Sequence, residues 1–245
     1  MSISKILVGF IILLCMFFAV FEFSDMSWLA VFSRGLIVPS ITALFIINYK
    51  PKSCCFVLFL VLFSVAELLS ISDILPFIAK NIPYSFLYYA CNGLYAMAYS
   101  VLFYTIIKSL NFKIVVRNFF VHLLVLGFLN GYLLYVLFKI MSPYLAVVGE
   151  IVIESTYTIA ILLVLSASLI NFLYKDSQKS LLMFLGSLCV VFSEVIQIAY
   201  LYISSKILLD IFYTMLMVIA FYLFYKQATI SEEDTTVLSG NEVFK

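Results

Sequence analysis

Two carboxylates stand inside runs that otherwise hold no charge. Glu67 lies in "VLFSVAELLSIS", 61–72, which Asp73 closes, and Glu194 in "LCVVFSEVIQIAY", 188–200. Placing a charged side chain at the centre of a hydrocarbon layer costs roughly 3 kcal/mol on insertion scales and more by other estimates, so such groups face a protein interior, paired or wet. Burial disfavours the charged form, and a second carboxylate nearby disfavours it further in one of the two. Glu67 and Glu194 could therefore divide into one protonated acid and one ionised base, the arrangement that acid–base attack on a neutral bond requires. Arg34, Glu150, Glu154 and Asp210 are further charged groups in or at the edge of apolar stretches. Arg34 could hold one acid of this set ionised. A structural reading stands beside this one, in which each Glu is interhelical glue and Arg34 with Glu67 is a plain ion pair.

The elements that must position these residues follow from composition. The chain has 245 residues, 65% of them hydrophobic and 11% charged, against about 45–50% and about 25% in soluble domains. The expected class is all-α, a polytopic integral membrane bundle. A net charge of +1 argues against a nucleic-acid partner. A spanning helix needs about 20 mostly apolar residues. Cutting at polar or Pro-containing breaks gives eight spans, 5–23, 28–48, 54–72, 84–107, 117–138, 145–173, 180–202 and 207–226, within a domain 1–227 that a polar, flexible tail 228–245 follows. Met1–Val20 is read as the first span and not as a signal peptide, since no Ala-x-Ala site follows it. The short breaks predict that helices consecutive in sequence are antiparallel neighbours.

Counting basic residues orients the bundle. With the N-terminus inside, Lys5, Lys50, Lys52, Lys108, Lys113, Arg117, Lys175, Lys179, Lys226 and Lys245 fall on the cytoplasmic side, and Lys80, Lys139 and Lys206 on the other. This asymmetry requires an even number of spans, with both termini cytoplasmic. Glu67 then lies thirteen residues into the third span and Glu194 fourteen into the seventh, both about 20 Å above the inner face. Arg34, Glu150, Glu154 and Asp210 join them in the outer half, whereas the inner half of the bundle has only His122 as a comparable group. Packing alone needs no such concentration of charge at one level, which favours a site. The expected location is a multi-pass position in a bacterial inner (plasma) membrane.

Other features point to structure. Gly127 and Gly131 in "GFLNG" form a small-xxx-small pair expected to let the fifth span approach a neighbour. Pro39 inside the second span predicts a kink and a freed carbonyl near Arg34. The five cysteines lack Cys-x-x-Cys spacing, and no Gly-rich phosphate loop, metal-spaced His cluster or Gly-x-Ser-x-Gly elbow occurs. No cofactor and no metal is expected.

At these residues the chain resembles the YhhN-like lysoplasmalogenase family, eight-helix membrane proteins with both termini on one side. The family's Lys-Pro-Leu-x-x-Pro is similar to "RGLIVP", with Arg34 for Lys, Gly35 for Pro, and Leu36 and Pro39 retained. Its Gly-Asp-x-x-Leu looks like "AELLS", with Ala66 and Glu67, and its Ser-Asp is matched by Ser193–Glu194. Gly93 and Tyr104 correspond to a Gly and a His-x-x-Tyr segment in which Val101 replaces the His. Phe212 and Tyr213 correspond to Tyr-Tyr-x-x-Gln, with Leu216 for the Gln. Both acids are Glu where the family has Asp, and Glu150 and Glu154 have no counterpart.

The resemblance implies cleavage of the vinyl ether of a membrane lysophospholipid into a fatty aldehyde and a glycerophospho-alcohol. Glu67 and Glu194 would be the catalytic pair, either one the acid. Arg34 would meet a lipid phosphate or orient a carboxylate, with Tyr104, Tyr213, Glu150 and Glu154 as the other candidates for substrate contact. Head group and oligomeric state stay open. So do two other classes. A proton-coupled transporter would also place carboxylates near the midplane, and a non-enzymatic membrane protein could keep the fold alone.

Overall fold

A computed structural model describes residues 3–24, 26–48, 54–72, 83–145 and 147–230. Nine helices run along them: α1 Ile3–Phe23, α2 Ser27–Gly35, α3 Ile37–Asn48, α4 Cys54–Ser72, α5 Tyr84–Ile107, α6 Phe112–Met141, α7 Val148–Lys175, α8 Gln178–Tyr202 and α9 Ile207–Thr229. No strand occurs among the described residues. Taking α2 and α3 as one interrupted rod, eight helices are long and apolar enough to cross a membrane. Most of the polar tail, 231–245, lies outside the described residues, as do the breaks at 49–53 and 73–82.

The interruption between α2 and α3 has a chemical cause. Proline has no N–H and its ring clashes with the carbonyl four residues earlier. For Pro39 that residue is Gly35, where α2 ends; Leu36 links the halves at φ −87°, ψ −12°. Pro39 withholds an N–H from the Gly35 carbonyl, whereas the Leu36 carbonyl has its ordinary partner in the Ser40 N–H at 3.1 Å and a second in the Ser40 hydroxyl at 2.7 Å. The helix is therefore interrupted where the kink is expected, one residue beyond Gly35. The fifth span starts earlier than the expected residue 117, because Lys113 and Arg117 are carried on the first turns of α6.

Helices α3, α4, α5, α7, α8 and α9 close a ring, each packed on the next and α9 returning to α3. Helix α1 lies outside against α2, α3 and α9, and α6 outside against α7 and α8. One expectation fails here. Helices α5 and α6 are consecutive, yet α5 packs on α4 and α7 instead. The reason is the stripe Ala98, Tyr99, Leu102 and Ile106, fully or almost fully buried, which seats α5 in the ring. Helix α6 shows mostly apolar exposed side chains, Phe128 at 79%. Gly127 and Gly131 also depart from expectation: nothing lies within 4 Å of where their Cβ atoms would be. Asn130 between them makes the contact, its Nδ2 donating to Ser166 Oγ of α7 at 2.7 Å.

The ring is filled at one end by aromatic side chains. Phe59 stacks on Phe221 with centroids 5.8 Å apart, Phe63 meets Phe221 at 4.7 Å, and Phe224 stands edge-on to Phe59 at 5.8 Å. Gly186 of α8 makes room for this plug, since a Cβ there would come within 2.6 Å of Phe224 Cε1 and 3.3 Å of the Ala220 carbonyl. Phe224 is fully buried and has nowhere to retreat. Gly186→Ala is expected to destabilise the protein by about 1–3 kcal/mol through overpacking, read as a lower unfolding temperature in detergent. An unchanged temperature would contradict the close α8–α9 contact.

Candidate functional site

The aromatic plug gives way to a cavity along the same helical stripes. On α4, Phe56, Phe59, Phe63 and Glu67 recur at three- and four-residue steps, so Glu67 is in phase with the core-facing rings. On α8, Met183, Ser187, Val190 and Glu194 do the same, and on α9 so do Asp210, Tyr213, Met217 and Phe221. Each acid faces inward because its helix buries that stripe.

The cavity holds about 430 Å³. Arg34, Glu67, Glu154, Glu194 and Tyr213 all line it, from α2, α4, α7, α8 and α9. They gather at the end of the ring where α4 and α8 finish and α7 and α9 begin. The walls also carry Tyr88, Asn92 and Tyr95 of α5, Tyr157 of α7 and Tyr202 of α8, and Phe63 joins the cavity to the plug.

Each glutamate in the cavity has a tyrosine beside it. Tyr157 Oη donates to Glu194 Oε1 at 2.5 Å. Tyr88 Oη donates to Glu154 Oε1 at 2.7 Å. The Tyr95 hydroxyl is directed at the Glu67 carboxylate. A phenol hydroxyl both donates and accepts, so it can serve an ionised carboxylate or a protonated one. The cation is engaged differently. Arg34 Nη1 donates to Asp210 Oδ1 at 2.9 Å, and its guanidinium lies 5.4 Å from the centre of the Tyr213 ring. The Asp210 side chain is only 6% exposed and that of Arg34 24%, its free part turned to the cavity. Arg34 thus orients a carboxylate, but the partner is Asp210 and not Glu67.

Two candidates are not brought into this space. Tyr104 is 57% exposed on the outer face of α5. The stripe that enters the ring there is Tyr95, Tyr99 and Leu102, and Tyr104 falls off it by about half a turn. Glu150 closes the start of α7, its Oε2 accepting from the Val147 N–H at 3.3 Å; it caps a helix end and lines no part of the cavity. Conversely, the tyrosine partners were not singled out by spacing or charge. A signal existed: Tyr88, Asn92, Tyr95 and Tyr99 recur at three-, four- and seven-residue intervals, one polar stripe on an apolar helix.

The arrangement can hold an amphiphile with its reactive part between two carboxyl groups and its chain toward the apolar walls of Leu87, Leu137, Ile161 and Leu162. Compared with models of protein families, with curated proteins and with solved structures, the chain has no match.

Proposed function

We propose that the chain is a membrane-embedded hydrolase of the lysoplasmalogenase type, with eight spans, both termini cytoplasmic and the cavity in the outer half of the bilayer. The single observation that carries this reading is that Glu67 and Glu194, from different helices, line one cavity, each beside a tyrosine hydroxyl. A vinyl ether has no good electrophilic carbon until it is protonated. One glutamic acid gives its proton to the alkene carbon remote from oxygen, and the C=C pair becomes the new C–H bond. The oxocarbenium ion left behind is stabilised by the other glutamate's negative charge, as in the paired-carboxylate glycosidases. That carboxylate takes a proton from water as the water oxygen bonds to the cationic carbon. The resulting hemiacetal breaks its C–O bond to aldehyde and alcohol, one oxygen losing the proton that the other gains.

Asp210 occupies one face of Arg34, so the guanidinium meets a substrate phosphate only with its remaining N–H groups. The test is direct. The purified protein, reconstituted in bilayers, is given a 1-alkenyl lysophospholipid and, separately, the 1-acyl lysolipid of equal chain length. Fatty aldehyde, identified by mass spectrometry, should form from the first and no product from the second. Absence of aldehyde from choline and ethanolamine lipids alike would overturn the assignment.

A further inference from the structure

One group near the two glutamates is not accounted for by packing or by the chemistry above. Tyr99 is fully buried, and its hydroxyl has no hydrogen-bond partner among the described residues. A buried hydroxyl left unpaired costs about 1–3 kcal/mol, and Phe would fill the same volume without that cost, so the hydroxyl calls for a role. Its surroundings are specific. Tyr99 lies near both acids, Glu194 and Glu67, and its hydroxyl is within reach of that of Tyr157. The Tyr99 and Tyr157 rings are 5.8 Å apart, those of Tyr95 and Tyr157 6.0 Å. Tyr157 is the partner of Glu194, and Tyr95 the neighbour of Glu67. Three phenols therefore stand about the two carboxyl groups, Tyr95 and Tyr99 one turn apart on one face of α5, and the Tyr99 hydroxyl is the one left without a partner among the described residues. Phe59 and Phe63 pack against Tyr99 with ring centres 6.2 and 5.8 Å away.

We propose that Tyr95, Tyr99 and Tyr157 form a proton relay between Glu67 and Glu194, which returns the proton after each turnover. This rests on the hydrolase reading, which creates the need for it. Each cycle ends with the acid deprotonated and the base protonated, so one proton must cross before the next substrate reacts. Along the relay the protonated carboxyl gives its proton to the first phenol oxygen. Each phenol passes its own proton to the next oxygen, and the last delivers one to the carboxylate. Every hydroxyl receives one proton and gives one, so nothing else is consumed. The route runs equally in both directions and does not depend on which glutamate is the acid.

Removing the middle hydroxyl tests it. In Tyr99→Phe the first turnover, which uses a carboxyl already protonated, should run at the wild-type rate in rapid-mixing experiments. Later turnovers should slow by at least about tenfold and recover when imidazole buffer is added as a small proton carrier. Tyr157→Phe also cuts the relay but removes the Glu194 partner as well, so its first turnover should slow too, and its later turnovers should still recover toward that first rate with imidazole even if Tyr99→Phe folds poorly. An undiminished steady state overturns the relay, and so does a first turnover slowed as much as the rest with no response to buffer. If the wild type turns over no vinyl ether, the hydrolase reading has failed and infrared difference spectra judge the relay alone. Glu194→Gln should shift the carboxyl C=O stretch assigned to Glu67 in the wild-type background and leave it in place with Tyr99→Phe. An equal shift in both backgrounds overturns the relay.

Discussion

Glu194→Gln lowers turnover by roughly 10²–10⁴-fold, the span general acid–base groups contribute, and leaves the unfolding temperature nearly where it was. Both halves follow from the geometry. Glutamine has the shape of glutamate, and its Oε1 can accept the Tyr157 hydroxyl that Glu194 accepts at 2.5 Å. The Tyr157 donor keeps its acceptor, the new amide N–H groups lie at the cavity lining, and no void opens, so neither large source of instability applies. What disappears is the capacity to give or take a proton at that point. Glu67→Gln should behave alike, and the double variant should be little worse than either single one, because the two act as a unit. Glu194→Leu is the contrasting case. It leaves the Tyr157 hydroxyl without its acceptor beside an almost fully buried position (Glu194 is 6% exposed), so stability should fall as well. Single-turnover rates and unfolding temperatures on the same preparations decide the matter. If activity in Glu194→Gln is retained, or declines only in step with stability, the carboxylates are packing elements and the scaffold class returns.

How far the site can be read from the sequence depends on how rare its residues are. A glutamate inside an apolar helix stands out, and its phase relative to Phe56, Phe59 and Phe63 assigns its direction. Eight apolar helices follow from the same contrast. The tyrosines do not stand out, since the chain has 17 of them and 25 Phe, and an amphipathic ring suits core, lipid boundary and site equally. Their stripe on α5 is present as spacing, but it points to the cavity only once that helix is known to be in the ring. Ring membership itself is a tertiary property. Loop length predicts α5 beside α6, but the buried face of α5 packs on α4 and α7, and no local signal in the four residues 108–111 reveals this. Glu150 and Glu154 differ by four residues and have the same chemistry, yet one caps a helix end and the other accepts from Tyr88 within the cavity. Depth along α7 separates them.

Asp210→Asn is expected to cost about 3 kcal/mol or more of stability, at the lower end of what breaking a buried ion pair by removing one partner costs. Arg34 and Asp210 are 176 residues apart in sequence and join α2 to α9 through a 2.9 Å charge-assisted hydrogen bond. Once the carboxylate is gone the guanidinium cannot discharge itself, whereas an aspartate stranded by Arg34→Met can take up a proton. The aspartate substitution is therefore the more damaging of the two. The Arg34 side chain is 24% exposed, on the cavity side, and the solvent it reaches there is what keeps the cost from the upper end. Replacing both residues with Met should restore most of the loss, because a matched apolar pair strands no charge. Unfolding in detergent of the wild type, Arg34→Met, Asp210→Met and the double-Met variant forms a double-mutant cycle. A coupling near zero would mean that the pair is solvated and contributes no more than a surface ion pair. Activity adds a second reading to the same cycle. With Asp210 neutral, Arg34 is left near Glu67 as the acid it can turn to. An Arg34 that turns to Glu67 draws that carboxyl away from the Tyr95 hydroxyl, so Asp210→Asn should lose turnover well beyond its loss of folded protein, while the double-Met variant should lose less.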